Sequence, residues 1–172
     1  MKKVKKEEEM RRIAIVKVRG SVHMRAGIKE TLRLLHIPKV NFCSVIDNRP
    51  TNKGMINKAK DYITWGEMDV DLFTELLRKW GRMEGNKKID EEAIKAKGFT
   101  SLEDFSKKFM EFKAEFKDLG VKPVFRLHPP SKGFERVGIK KHLSVGGAHG
   151  YRGKNINALI KRMAGIRDGS KE

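Results

Sequence analysis

This chain lacks glutamine and any long apolar run, holds a single cysteine, and has far fewer acidic than basic side chains. Cys43 is the sole cysteine in 172 residues, which excludes an intramolecular disulfide and a cysteine-cluster zinc site and fits a reducing compartment. No apolar run approaches the ~20 residues that a bilayer-spanning helix needs, and the N-terminal lysines are not followed by a signal-peptide core. A cytoplasmic protein with no membrane partner is therefore expected. Glutamine is absent altogether, a bias compatible with a thermophilic source. Asp and Glu number 22 against 39 Lys and Arg, a formal net charge of +17. Such an excess implies a polyanionic partner, nucleic acid first, rather than an acidic small-molecule substrate.

That charge is unevenly spread. Residues 1–66 hold 16 basic against 6 acidic side chains and residues 119–172 hold 12 against 3, whereas residues 67–118 hold 11 against 13. Two basic segments thus flank a near-neutral one, and only the flanks look like polyanion-binding surface. The length allows one well-buried core with an appended subdomain.

Residues 1–10 are Lys and Glu around Val4 and Met10 and read as a polar tail. Residues 11–68 read as a β-α-β-α-β core. Arg12–Val18 is β-branched and apolar on nearly both faces, as in a central strand covered by helices. Gly20 ends it, and the loop beyond gathers Arg19, Ser21, His23 and Arg25 as a candidate contact with RNA. Ile28, Leu32 and Leu35 recur at helical spacing until Pro38, and Val40–Ile46 reads as a second strand. Cys43 within it reads as a small buried hydrophobe, since no base accompanies it.

The chain is organised around the run from Asp47 to Lys58. Pro50 stops the strand and disfavours helix at Arg49, Thr51 is the expected N-cap, and Arg49, Asn52 and Lys53 surround the free amides of the helix start. Amides and dipole together would hold a phosphate. Judged on these residues alone, a solvated turn before a surface helix is an equal reading. Tyr62–Met68 supplies a third strand, which predicts a three-stranded sheet with two helices on one face.

Residues 69–118 read as a helical appendage. Leu72, Phe73, Leu76, Leu77 and Trp80 mark one helix, Asp90–Ala96 a short second, and a third begins at Thr100 or Ser101, where Thr100 with Glu103 forms a candidate capping box. Leu102, Phe105, Phe109, Phe112 and Phe116 form its stripe. A helix of the same chain is the preferred partner because the stripe lasts only two heptads; a protein neighbour is the alternative.

Residues 119–172 read as a basic hairpin, a glycine-rich loop and a C-terminal helix that packs back on the core. Val121–Leu127 reads as a strand that His128-Pro129-Pro130 confines to an edge. Arg126, Lys132, Arg136, Lys140 and Lys141 follow with few carboxylates, and glycines at 146, 147, 150 and 153 suggest a flexible loop whose amides, with Arg152 and Lys154, reach a phosphate backbone. Ala148 and Asn155 stand where a P-loop would need glycine and Ser or Thr. Gly150-Tyr151-Arg152-Gly153 matches only a bare GxxG, and Asn155 reads as the cap of a last helix carrying Ile156, Leu159, Ile160 and Met163.

The run Arg49-Pro50-Thr51-Asn52-Lys53-Gly54-Met55-Ile56-Asn57-Lys58 with Tyr62–Glu67, and downstream Phe125–Gly133, Gly146–Lys154 and Ile156–Met163, resembles the L30 family of large-subunit ribosomal proteins, whose eukaryotic members are numbered L7. The order and spacing are similar to the long archaeal form and cover roughly residues 10–168. Position 134 departs from the pattern: the family often has a second glycine after Gly133, and this chain has Phe134. The resemblance implies an α+β, ferredoxin-like fold with a small antiparallel sheet, and a structural, non-enzymatic constituent of the large ribosomal subunit. It also implies contacts with the large rRNA and with 5S rRNA; neighbouring ribosomal proteins are the alternative partners of the stripe in residues 69–118, and no cofactor is expected.

The competing readings are an RNA-processing or modifying enzyme and an RNA chaperone outside the ribosome. Support for an enzyme is thin, because histidines 23, 36, 128, 142 and 149 are scattered and no metal, nucleotide or acid-pair motif stands out. One prediction follows from the tail alone. Deleting residues 1–9 leaves the melting temperature nearly unchanged, because nothing in them can anchor a core; a thermal melt showing a loss of many degrees would overturn that reading.

Overall fold

The computed structural model describes residues 10–166, with the backbone alone at 91–93. The tail at residues 1–9 and the last six residues lie outside that range. In chain order the elements are β1 (Arg12–Lys17), α1 (Ala26–Leu34), β2 (Phe42–Asp47), α2 (Pro50–Ala59), β3 (Ile63–Glu67) and α3 (Val70–Trp80). There follow α4 (Glu91–Ala96), α5 (Leu102–Met110), α6 (Phe116–Leu119), β4 (Phe125–Arg126), β5 (Gly150–Tyr151) and α7 (Ile156–Ala164). The α+β class holds. The sheet order is β4-β2-β1-β3-β5, in which β2-β1-β3 is the expected three-stranded antiparallel core, extended by an antiparallel edge β4 and a parallel edge β5.

Alternation along β1 decides the layers. Ile15 faces a cluster with Leu32, Leu35 and Ile37 from α1 and its exit, Ile56 and Ala59 from α2, and Ile63. Ala14 and Val16 face the other way, into a larger cluster built from α3, α5, α6, β4 and α7. A strand buried on both faces reads as continuously apolar, which is why Arg12–Val18 lacks a polar side. Two helices lie on one face of the sheet as expected, and residues 69–118 contribute Leu72, Phe73, Phe105, Phe109 and Phe116 to the cluster of Ala14 and Val16. They cover the second face of the sheet.

The phenylalanine stripe turns inward, and not as one helix. Ser101 is the N-cap of α5, accepting from the Asp104 amide at 3.1 Å, and α5 ends at Met110. Phe112 then takes a left-handed φ of 62° before α6 begins under a Glu115–Asp118 capping box. The break reverses the stripe. Phe116 folds back to 4.6 Å from Phe109, which stacks at 4.7 Å on Phe73, while Phe125 meets Phe73 edge-on at 6.4 Å. Phe112 is left at the rim, where it and Phe109 lie at 4.4 and 4.0 Å from the Arg12 guanidinium.

Two local expectations are corrected. Arg49, not Thr51, is the N-cap of α2, with Pro50 at the first helical position; proline fits there because its missing N–H would have had no intrahelical partner. Among the described residues the expected basic hairpin is not formed by paired strands. Val121–Leu127 forms a strand only at Phe125–Arg126, and the next strand, β5, lies on the opposite edge of the sheet, so residues 127–149 cross from one edge to the other in turns. At the start of α7, Asn155 is the N-cap as expected and ends a short 3-10 turn over Gly153–Asn155, though its side chain makes no cap bond. Replacing Phe109, which is 1% exposed, with alanine is expected to destabilise the protein by ~3–5 kcal/mol in chemical denaturation. An unchanged midpoint would mean that the cluster does not hold the second layer.

Candidate nucleic-acid interface

The strand register places the basic residues at two ends of one sheet. β1 pairs Arg12 with Asp47 at one end and Val16 with Cys43 near the other. Arg49, Asn52 and Lys53 therefore stand at the end where β2 runs out into α2. At the opposite end, Arg19 follows β1 with its guanidinium 5.2 Å from the Tyr62 ring, Arg25 is exposed at the start of α1, and Arg126 is exposed 6.0 Å from Phe42. Six strand residues at about 3.3 Å each separate the two groups by roughly 15–20 Å. That separation suits an extended polyanion and no single small pocket.

At the α2 end the first intrahelical bond is Lys53 N to Arg49 O, 3.0 Å, so the amides before it point out of the helix. Asn52 faces inward instead: its Nδ2 donates to Asp47 O at 3.0 Å and tethers the loop. Asp47 itself pairs with buried Arg12 and, at 3.0 Å, with exposed Arg49. Lys17, which sequence reasoning passed over, is buried at the far end of β1, where Nζ donates to Ser21 Oγ and Pro38 O at 2.6 and 2.5 Å. Burial, with Lys29 nearby, lowers its pKa. It fixes the loop that carries Arg19 and Arg25.

The glycine-rich loop is not a flexible phosphate cradle. Gly146 and Gly147 N–H donate to Leu143 and His142 carbonyls at 2.9 Å, Ala148 N–H to Gly138 O at 3.2 Å, and Arg152 N–H to Trp65 O at 2.8 Å. A Cβ at Gly147 would fall 2.0 Å from Lys141 O, and one at Gly150 2.2 Å from the His142 ring. These glycines permit close approach within the protein. Arg152 is likewise internal: bidentate to Glu135, with Nε on Thr64 Oγ1 at 2.9 Å and Nη2 on Ala148 O at 2.9 Å. Its burial removes it from the candidate phosphate contacts. Burial pushes the Glu135 carboxyl up, but the hydrogen bonds from Arg152, a backbone hydrogen bond and the charges of Arg152 and Arg162 together outweigh it, and the pKa lies below the ordinary value. Lys132, Arg136, Lys140, Lys141 and Lys154 are exposed as expected.

Pairing of β5 with β3 brings the two basic segments together. Trp65 and Tyr151 are register partners with ring centroids 6.4 Å apart, and Tyr151 Oη donates to Glu67 Oε1 at 2.5 Å. With Lys53 and Asn57 of α2 they line a groove of about 290 Å³. Tyr151 and Trp65 were legible only as an aromatic among glycines and an aromatic in a strand.

Chemistry finds little footing elsewhere. Among the described residues no three His, Cys, Asp or Glu side chains gather to hold a metal. Burial pushes the Cys43 thiol up to about 12, so no thiolate forms near neutrality. His128 packs edge-on against Trp80 at 5.0 Å, and His149 against His142 at 5.5 Å. No helix of the described residues is long and apolar enough to cross a membrane.

Comparison with known proteins decides the family. The ribosomal protein L30p/L7e family model matches residues 13–63. The large ribosomal subunit protein uL30 of Nanoarchaeum equitans is 52% identical over 149 residues, 87% of this chain and 96% of that one. The chain belongs to the L30p/L7e family. Proteins of the same name from Methanopyrus kandleri and Methanococcus maripaludis are 46% and 45% identical, covering 85% and 87% of this chain and 99% and 97% of theirs. The family model spans β1 to the start of β3, whereas the relatives extend the likeness through nearly the whole described fold.

Removing Arg152 tests its structural assignment. Arg152→Ala is expected to cost at least ~2 kcal/mol, because it strands a partly buried carboxylate, whereas Arg126→Ala at the exposed edge stays within ~0.5 kcal/mol. The Glu135 contribution is present above the ordinary glutamate range and is lost as pH falls through its lowered pKa. Thermal melts of wild type and Arg152→Ala should therefore converge in acid; equal stabilities at neutral pH would place Arg152 outside the fold's framework.

Proposed function

We propose that the chain is a structural constituent of the large ribosomal subunit, in the cytoplasm, that binds and stabilises folded rRNA without catalysing a reaction. The observation that carries this reading is the exposure of basic side chains at both ends of one rigid sheet, in a chain of net charge +17. Family membership gives it its setting, since the relatives are named for the large subunit.

Arg19, Arg25 and Arg126 would engage phosphates at one end. Arg49 and Lys53 would do so at the other, beside the outward amides of α2. Lys132, Arg136, Lys140, Lys141 and Lys154 extend the basic surface along the segment that crosses the sheet. Asn52 acts by holding the loop rather than by touching RNA. Such contacts recognise the shape of the folded backbone, and 2′-hydroxyl contacts distinguish RNA from DNA. Two ends some 15–20 Å apart can bridge two RNA segments, which accommodates a shared role between the large rRNA and 5S rRNA. The near-neutral outer face of α3–α5 is left for a protein neighbour.

Sucrose-gradient fractionation of a cell lysate is the direct test, with the protein expected to sediment with large subunits. Confinement to the top of the gradient would overturn the proposal in favour of an extra-ribosomal role. On an rRNA fragment, Lys53→Ala and Lys140→Ala are each expected to lower the slope of log affinity against log salt by roughly 0.7–0.9 per lost phosphate contact, without moving the melting temperature. Unchanged slopes in both would show that the charged surface lies elsewhere.

A further inference from the structure

We propose that the groove between α2 and β5 takes one unstacked RNA base, held against the face of Tyr151. The inference rests on the RNA-binding reading above and names what one part of that surface recognises. Tyr151 is 52% exposed although it is aromatic and stands in a strand. Its ring is fixed from both sides of the problem: the backbone is in register with Trp65, and the phenol is bound to Glu67. That hydrogen bond, with partial burial, raises the phenol pKa, so the group stays a neutral donor and the ring stays oriented. Trp65, tilted 46° to it, forms the adjoining wall.

Charge sorts the occupants. A polyanion is drawn to this side of the molecule by Lys53 and exposed Lys154, yet the Glu67 carboxylate lining the groove disfavours a phosphate inside it. A nucleotide satisfies both conditions when its base enters and its phosphates stay at the rim. Stacking on an aromatic face is tolerant of sequence and independent of counterion release, unlike the phosphate contacts. The groove, at about 290 Å³, is also smaller than most drug-sized ligand sites, which suits a single base.

The experiment uses the full chain with a labelled octa-adenylate single-stranded RNA across a salt series. Tyr151→Ala is expected to bind roughly ten-fold more weakly with an unchanged salt slope, and Tyr151→Phe, which keeps the π-face but loses its tether to Glu67, to lose less affinity than Tyr151→Ala. Lys53→Ala should lower the slope instead. Tyr151→Leu, which keeps apolar bulk without a π-face, serves should the alanine variant melt early, and is expected to lose affinity as well. If Tyr151→Ala and Tyr151→Leu bind the octamer as tightly as wild type, or lose affinity only through a lower slope, the proposal falls. A wild-type chain that still co-sediments with large subunits in that event leaves the ribosomal reading standing. Octamer stacking by a chain that never sediments with them would overturn the ribosomal reading alone.

Discussion

Arg12 places a charge in the seam between the sheet and its second helical layer, and both depend on how that charge is satisfied. Its guanidinium pairs with Asp47 across the β1–β2 ladder, donates to Phe109 O at 3.0 Å and to Ala114 O at 3.4 Å, and lies against the Phe109 and Phe112 rings. Burial lowers its pKa, while Asp47 raises it. Partners from the sheet, α5 and the α5–α6 break are all required, because an arginine buried without them would carry a large desolvation cost. The left-handed Phe112 closes the end of α5 through Phe112 N–H to Phe109 O and Lys113 N–H to Lys108 O, and the turn brings Ala114 O and both rings to the one arginine.

Asp47 carries the same constraint to the surface. It accepts from Arg12 inside and from Arg49 outside, and its carbonyl holds Asn52. The start of α2 is thereby anchored to the core rather than to solvent. On the opposite edge, Gly66 has a related role. A Cβ there would fall 2.0 Å from Gly153 O and 3.0 Å from the Ile156 side chain, so only glycine lets the turn after β5 close on β3. Without that approach Tyr151 would not sit beside Trp65. Both anchors put exposed basic and aromatic groups on rigid elements, where positioning costs little further ordering.

The distribution of charge then follows a consistent physical division. Carboxylates near the basic groups are already engaged: Asp47 with two arginines, Glu135 with Arg152, Glu67 with Tyr151. Lys132, Lys140, Lys141 and Lys154 are left facing solvent. Self-repulsion among them favours a polyanionic partner over the free chain.

The sequence by itself determined the strand and helix order of residues 11–68, since a two-sided apolar strand and helical spacings of apolar residues are local signals. It also determined the charge division, the edge position of β4 from the prolines that follow it, and the family, from motifs that keep their order. It could not show whether an arginine among glycines faces RNA or a carboxylate, because Glu135 comes to Arg152 only when the chain crosses the sheet. Nor could it show that the phenylalanine stripe breaks at Phe112, since apolar periodicity runs on through a residue whose left-handed backbone closes the C-terminus of α5, where Lys113 N–H donates to Lys108 O at 2.9 Å. The parallel pairing of β5 with β3 was equally out of reach. A two-residue strand carries no periodic signal, and its place was decided by the room that Gly66 leaves and by the hydrogen bonds of Thr64 and Trp65.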